Sequence, residues 1–231
     1  LSAVLGYQMF KAEGLQAFSA FSSDAANLTN NKTASSFGAG VRVGYLGRWS
    51  DYFSIGAAYQ SRIFMSKFSE YKGLYAEQGD FDIPSNFTVG VGVHPTRDID
   101  LAFDVQRVNY SEVKSVGNPM LPNLMSAALG ADGGAGFGWK DMTVFKSGLE
   151  WRTTGWALRG GYSYGEQPIA SSEVMFNILA PGVIEQHVTA GFSRTVGRGS
   201  IDVSVVRALS KTVTGPNPLE APGRQTIALR M

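Results

Sequence analysis

Apolar and polar residues alternate along most of this chain with a period of two. In FSIGAAYQ, residues 53–60, the apolar Phe53 and Ile55 alternate with Ser54 and Gly56. Successive side chains of a β-strand point to opposite faces of its sheet, so this window predicts a strand with one apolar and one polar face. The same split recurs in residues 87–94, 99–106, 145–152, 156–164, 187–193 and 201–205. The pattern predicts an all-β fold.

Ten strand windows follow from the pattern: 1–11, 38–49, 52–64, 86–95, 99–110, 141–153, 156–165, 185–196, 200–211 and 224–231. Tight turns at 49–51, 95–98, 153–155 and 196–199 alternate with long loops at 12–37, 65–85, 111–140, 166–184 and 212–223. Alternating short turns and long loops are typical of outer-membrane barrels, whereas compact soluble domains seldom carry many structureless loops above about 12 to 15 residues. We therefore predict a transmembrane antiparallel β-barrel. A soluble β-sandwich is the alternative, because alternation alone does not say which face is buried.

A few stretches depart from the strand pattern. Three loop segments carry helix-start signals: Ser23 or Asp24 before residues 25–28, Pro122 before 124–129, and Ser172 before 173–179. After Val105 the alternation changes phase, since Val108 and Tyr110 fall on the face that carries Asp104. This change predicts a β-bulge, which inserts one extra residue into a strand.

The composition narrows the class of protein. With 231 residues and 28 glycines, the chain suits one domain of short strands. A net charge of +1 gives no field that would favour nucleic acid as a partner. The absence of cysteine excludes disulfides, thiolate metal sites and a cysteine nucleophile. The apolar runs are far shorter than the about 18 residues of a membrane helix, so any crossing of a membrane is predicted to use strands.

Several stretches, taken in their order along the chain, carry a family resemblance. They include GLQAFSAFSSDAANLTN at 14–30, SFGAGVRVGYLG at 36–47 and LAFDVQRVNYSEVKSVGNP at 101–119. The most specific are GFGWKD at 136–141 and FNILAPGV at 176–183. Together they resemble the FadL/OmpP1/TodX family of outer-membrane transport proteins for long-chain fatty acids and aromatic hydrocarbons, over nearly the whole chain.

The resemblance implies a fourteen-stranded monomeric barrel whose N-terminal hatch plugs the lumen. Substrate would be captured at an outer groove and released sideways into the membrane. The ten windows fit the last ten strands of such a barrel. On this mapping, residues 1–231 are a partial barrel domain: the hatch and first strands precede Leu1, and the last strand is cut short at Met231.

The family's outer groove would lie between the loops at 12–37 and 65–85. Both loops are rich in apolar side chains, and an apolar ligand needs contiguous apolar surface shielded from water. The candidate groove residues are Leu15, Phe18, Phe21, Phe64, Phe68, Tyr71, Leu74 and Tyr75. The alternative is that these side chains only pack the loops together.

Basic residues on the polar face are candidates for binding a fatty-acid carboxylate inside the lumen. These residues are Arg42, Arg62, Lys146, Arg152 and Arg159. Acidic residues such as Asp100 and Glu150 fall on the same face. The alternative is therefore a network of compensating charges within the lumen, and an uncharged hydrocarbon would need no cation.

Histidine usage argues against an enzyme or a metal centre. His94 and His187 are the only histidines, too few for a three-histidine zinc site, and we expect no metal and no cofactor. A serine hydrolase would need one of them beside a nucleophilic serine, and the chain has no G-x-S-x-G elbow. We expect His94, beside a tight turn, to be solvated, and the protein to be no enzyme.

The predicted function is passive uptake of hydrophobic small molecules, long-chain fatty acids or aromatic hydrocarbons, across the bacterial outer membrane. The expected partners are this substrate, outer-membrane lipid and lipopolysaccharide, with no nucleic acid, and the expected state is a monomer. The competing hypothesis is a structural or adhesive surface barrel without transport activity. Apolar aromatic loops favour the channel, whereas highly charged or repetitive loops would favour the adhesin.

Overall fold

The computed structural model describes residues 1–217 and 226–231, and within these ranges it contains twelve β-strands. The strands are β1 (Ser2–Phe10), β2 (Ala34–Ser50), β3 (Phe53–Gln60), β4 (Phe64–Met65), β5 (Asn86–Val93), β6 (Ile99–Val108), β7 (Met142–Thr153), β8 (Trp156–Gly165), β9 (Gln186–Val196), β10 (Gly199–Leu209), β11 (Thr212–Pro216) and β12 (Thr226–Arg230). Ten of them, all but β4 and β11, match predicted windows, which confirms the all-β antiparallel prediction.

The long strands form one up-and-down sheet. Its order is β1-β2-β3-β5-β6-β7-β8-β9-β10, so each long strand is hydrogen-bonded to the next one along the chain. The two-residue β4 also pairs with β2, beyond the point where β3 ends. The strands β11 and β12 form a separate two-stranded sheet. Within the described residues, β1 and β10 are the edges of the large sheet.

The two faces of the sheet differ in polarity. Across β6 and β7 the register pairs Val105 with Phe145 on one face and Asp104 with Lys146 on the other. The apolar face is open: Phe145 is 48% exposed and Val203 is 62% exposed. A soluble β-sandwich would bury this face under a second layer. No element in the described parts of the chain covers it, which argues against the sandwich alternative.

The long loops fold over the polar face at one end of the sheet. Phe10 and Ala34, which are polar-face positions by register, pack into the apolar cluster that the loops form. Gln8, on the same face, donates from Nε2 to the Phe81 carbonyl at 3.1 Å. We call the polar face the inner face and the apolar face the outer face. The two ends of the sheet are the loop end and the turn end.

Helical structure is confined to the loops. The helices are α1 (Ala76–Gly79), α2 (Lys114–Gly117) and α3 (Met120–Ser126), with 3-10 turns at Gln16–Phe21, Ala25–Asn27, Ser69–Tyr71, Tyr110–Glu112, Ser171–Glu173 and Phe176–Leu179. Over the part of the chain that the structure describes, no helix is long and apolar enough to cross a membrane.

The predicted helix starts have mixed outcomes. Asp24 caps the turn at Ala25–Asn27 by accepting from the Asn27 backbone N–H, as predicted. Pro122 lies inside α3, which begins two residues earlier at Met120. The continuous helix predicted after Ser172 is wrong, because that segment folds as two separate 3-10 turns.

Two predictions about the strands are also wrong. The register of β6 with both neighbours runs unbroken to Val108, so there is no bulge after Val105. Instead Arg107 takes an outer-face position at the loop end, where its Nη1 donates to Thr143 Oγ1 at 3.0 Å. The loop predicted at 212–223 contains β11, and its residues 218–223 lie outside the described residues. The tenth window pairs with β11 rather than β10, and its first two residues also lie outside the description.

Candidate functional site

The long loops pack together into a cap over the inner face. Phe10 is at the centre of its aromatic contacts, with ring centroids 4.8 Å from Tyr71 and 5.0 Å from Tyr75. Phe137 and Phe176, from the two later loops, stack at 5.2 Å. Side chains from residues more than a hundred positions apart thus share one apolar cluster, which makes the cap a single packed unit.

The cap contains an apolar cavity of about 140 Å³, and one of its lining residues, Ile178, is 58% exposed. Its lining comes from four loops and consists of Leu15, Phe18, Leu74, Leu129, Met175, Phe176, Ile178 and Leu179. All eight side chains are apolar, so the cavity offers no hydrogen bond to water or to a charged ligand. Apolar cavities of about 150 Å³ stay dry and take up benzene-sized molecules.

The eight predicted groove residues fall into three groups. Leu15, Phe18 and Leu74 line the cavity. Three others, Phe68, Tyr71 and Tyr75, are buried in the cluster and hold the loops together. Phe21 and Phe64 are exposed, at 50% and 69%, and do not line the cavity.

Sequence reasoning missed the lining residues from the later loops. Leu129 follows α3, and Phe176, Ile178 and Leu179 belong to the FNILAPGV string. The predicted groove, between the loops at 12–37 and 65–85, does not include this string. Its apolar side chains in a long loop were the available signal.

The strings GFGWKD and FNILAPGV meet inside the cap. Trp139 Nε1 donates to Asn177 Oδ1 at 2.5 Å. Asn177 Nδ2 donates to the Phe137 carbonyl at 2.7 Å and to the Glu173 carbonyl at 2.8 Å. Asn177 is fully buried, and a buried amide is tolerated only when its donors and acceptor are paired. This residue therefore locks the two later loops to each other beside the cavity.

Arg62 holds the loop after β3 in place. Its guanidinium binds Asp82 at 2.6 Å and Asp80 at 3.1 Å, and it donates to the Glu112 carbonyl at 2.7 Å. Burial, together with the neighbouring Asp82 carboxylate, raises the pKa of Asp80 from 3.8 to about 6. Arg62 lies in the connection from β3 to β4 and not in a strand, because β3 ends at Gln60.

The other predicted cations lie on the inner face of the sheet. Arg152 binds Asp100 and Glu150, each at 2.5 Å, and Arg159 binds the second oxygen of Glu150. Arg159 also donates to Ser193 on the next strand. These contacts form a row of compensating charges near the turn end. Such a row corresponds to the charge-network alternative and not to a site for a fatty-acid carboxylate.

Two further inner-face cations have uncharged partners. Lys146 Nζ donates to Gln106 Oε1 at 2.8 Å, and Arg42 donates to Gln60 Oε1. Neither has an ion-pair partner among the described residues that the structure brings within 4.0 Å. No group of three metal-ligating side chains occurs within the described ranges.

His94 is not simply solvated, as the sequence suggested. Its side chain is only 24% exposed and lies between two partners. Nδ1 is 2.5 Å from Asp100 Oδ1, and Nε2 is 3.2 Å from Ser54 Oγ. The inner face thus holds a serine, a histidine and an aspartate in hydrogen-bonded order.

Structural comparison finds solved channels with the same fold. The toluene transporter TodX of Pseudomonas putida superposes with a TM-score of 0.57 at 20% identity, over 78% of this chain and 46% of TodX. The toluene transporter TbuX of Ralstonia pickettii gives 0.52 at 21% identity, over 78% and 45%. A FadL homologue of Pseudomonas aeruginosa gives 0.57 at 14% identity, over 93% and 55%. The chain spans about half the length of these solved chains.

No protein-family model and no curated protein matches the sequence. At these identities the structural similarity establishes the fold. The sheet of β1 to β10 has the antiparallel fold of the outer-membrane β-barrel in these channels.

Proposed function

We propose that this protein is a channel of the FadL/OmpP1/TodX type, which admits hydrophobic small molecules passively across the bacterial outer membrane. The observation that carries the proposal is the apolar cavity in the loop cap, at the loop end of the inner face of the sheet. A solute that partitions into this cavity has left water and reached the entrance of the lumen. The similarity of the fold to that of toluene transporters and a FadL homologue supports the same function.

The outer face supports a place in the membrane. Val89, Val105, Phe103, Leu149 and Val188 are all exposed on it. Transfer of these side chains from water into lipid is favourable by roughly 25 cal/mol for each Å² of apolar surface that becomes covered. An outward apolar band with a polar interior is the pattern of transmembrane barrels. We therefore place β2 to β9 in outer-membrane lipid, with lipopolysaccharide around the loop end, and the protein acting as a monomer.

The cavity favours uncharged hydrocarbons over fatty acids as the captured solute. Its volume of about 140 Å³ suits one aromatic ring with a small substituent. A carboxylate placed among its eight apolar side chains would lose hydration without gaining a hydrogen bond, which is unfavourable by several kcal/mol. A fatty acid would have to keep its head group outside the cavity.

Uptake measurements test the proposal. Cells that lack their own transporter and express the protein as its gene encodes it are given labelled toluene or labelled oleate, with empty-vector cells as the control. We expect toluene uptake to rise more than oleate uptake. The reverse order would assign the channel to fatty acids. A rise in neither, with the protein present in the outer membrane, would favour the surface-barrel hypothesis.

A paired variant ties uptake to the cavity. Ile178→Trp places an indole where Ile178 lines the cavity, and we expect it to lower toluene uptake about tenfold, since filling the site abolishes roughly 1.4 kcal/mol or more of binding. Met125→Trp is the matched control, because Met125 is 85% exposed on α3 and does not line the cavity. Equal uptake by the two variants would separate transport from this cavity.

A further inference from the structure

The inner face carries an arrangement that the channel function does not use. His94 lies between Ser54 and Asp100, with Nε2 3.2 Å from Ser54 Oγ and Nδ1 2.5 Å from Asp100 Oδ1. When the Nδ1 proton is held by a carboxylate, Nε2 can accept the proton of the serine hydroxyl, which activates that serine as a nucleophile. We propose that Ser54, His94 and Asp100 form a catalytic triad that hydrolyses carboxylic esters inside the barrel.

The sheet register creates this contact. Ser54 in β3 is paired with Gly92 in β5, and His94 follows Gly92 by two residues on the same face. A Cβ atom at Gly92 would lie 2.4 Å from Ser54 Oγ and 3.5 Å from the His94 ring. Glycine at this position therefore leaves the space in which the hydroxyl meets the imidazole. Asp100, near the start of β6, reaches His94 because the intervening turn is short.

Two cavities meet at the three residues, and together they indicate the class of ester. One, of about 580 Å³, runs up the inner face over mainly small or apolar residues, including Gly44, Gly56, Ala58 and Ala102. The other, of about 860 Å³, opens towards the turn end and is more polar, with Arg48, Arg97 and Arg152 beside the carboxylates of Asp51 and Asp100. Ser54, His94 and Asp100 line both. An ester with an apolar acyl chain fits this pair of cavities, with the acyl chain in the first and the alcohol portion in the more polar second.

Two arginines lie close to the three residues. Arg48 is directly opposite Ser54 in the β2–β3 register, and its guanidinium donates to the Asp51 carbonyl at 3.4 Å. Arg152, bound to the second oxygen of Asp100, fixes the orientation of that carboxylate and acts as a positioning residue.

The reaction needs only water as co-reactant. Ser54 Oγ attacks the ester carbonyl carbon while its proton passes to His94 Nε2. The intermediate then breaks its bond to the alcohol oxygen, which takes the proton back from His94. Water attacks the resulting acyl-Ser54 and gives its proton to His94. Departure of the carboxylic acid returns that proton to Ser54.

The experiment uses the protein as its gene encodes it, purified in detergent. A fluorophosphonate probe tests Ser54 as a nucleophile, and mass spectrometry locates the label. Hydrolysis of p-nitrophenyl butyrate and p-nitrophenyl laurate is measured for the wild type and for Ser54→Ala, His94→Gln and Gly92→Ala. Ser163→Ala is the matched control, since Ser163 is an inner-face serine opposite His187 in the register.

We expect the probe to label Ser54 and hydrolysis to fall at least about a hundredfold in the Ser54 and His94 variants, the usual contribution of a positioned general base. Gly92→Ala lowers the rate as well, because its methyl group displaces Ser54 Oγ, and Ser163→Ala leaves it unchanged. Absence of label on wild-type Ser54, or equal hydrolysis by wild type and Ser54→Ala, overturns the proposal. Toluene uptake by Ser54→Ala is expected to match the wild type, so failure of the triad and failure of the channel are distinguishable.

Discussion

Replacing Asn177 by alanine should open the two later loops of the cap without changing the sheet. The amide of Asn177 binds three partners inside the cap: the buried carbonyls of Phe137 and Glu173 and the partly buried indole N–H of Trp139. Alanine leaves all three without a partner. A buried polar group that loses its hydrogen bond costs about 1 to 3 kcal/mol.

The lower value for each of the three groups gives a total of about 3 kcal/mol. Because every 1.4 kcal/mol is a factor of about ten in an equilibrium constant, the open form of these loops should become roughly a hundredfold more populated. When loops open and close faster than a protease cuts them, the rate of cleavage follows the open population. We therefore expect cleavage within residues 166–185 to accelerate roughly a hundredfold.

Limited chymotrypsin digestion measures this effect, because Phe176 and Leu179 are cleavable only when the loop opens. Asn123→Ala is the control: Asn123 Nδ2 donates to the Gly133 carbonyl at 2.8 Å at an exposed position, where water can replace the bond. We expect less than about a threefold change for it, the size of an ordinary surface substitution. Equal cleavage rates for the two variants would refute the locking role of Asn177.

Three other perturbations have defined outcomes. The pKa of Asp80 is raised from 3.8 to about 6, so between these values the folded loop keeps a proton that the unfolded loop has lost. Protection of residues 66–85 from hydrogen exchange should therefore fall as the pH rises from about 4 to 6 and then level off, and Asp80→Asn should remove the slope. Val105→Lys puts a charge on the outer face and should lower the free energy of unfolding of the barrel, measured by urea titration, by about 2 to 4 kcal/mol. Ala102→Lys, which faces inwards, should lower it by less. Gly38→Ala brings a methyl group 2.2 Å from Met65 Sδ and should detach β4, seen as faster proteolysis of residues 66–85. Gly44→Ala, whose nearest contact would be an ordinary 3.6 Å, should not do so.

The sheet could be predicted because its information is local. Period-two alternation identified the long strands, and short turns such as 95–98 fixed which strands are neighbours and in what register. The bulge after Val105 was inferred from polarity alone. At the loop end an arginine such as Arg107 reaches Thr143 and Asp141 from an outer-face position, so the register does not need to slip.

The cavity and the triad could not be predicted in the same way. Leu15, Leu129 and Phe176 belong to different loops, and their meeting depends on contacts between residues far apart in the sequence. Part of the triad follows from the sequence, since the alternation of the strands puts Ser54 and His94 on the same face of the sheet. The sequence does not show that Ser54 is paired with Gly92 in the sheet, and this pairing brings the serine hydroxyl to the imidazole of His94.

The short strand β4 gives the cap a mechanical tether. The N-terminal half of β2 is hydrogen-bonded to β4, through the pairs Gly38–Met65 and Ala39–Phe64, beyond the point where β3 ends. The loop at 66–85 therefore starts from within the wall and not from its rim. A force that pulls this loop outwards acts first, in shear, on the hydrogen bonds between β4 and β2. The entrance of the barrel should therefore resist opening, because these bonds must break before the cap can move away.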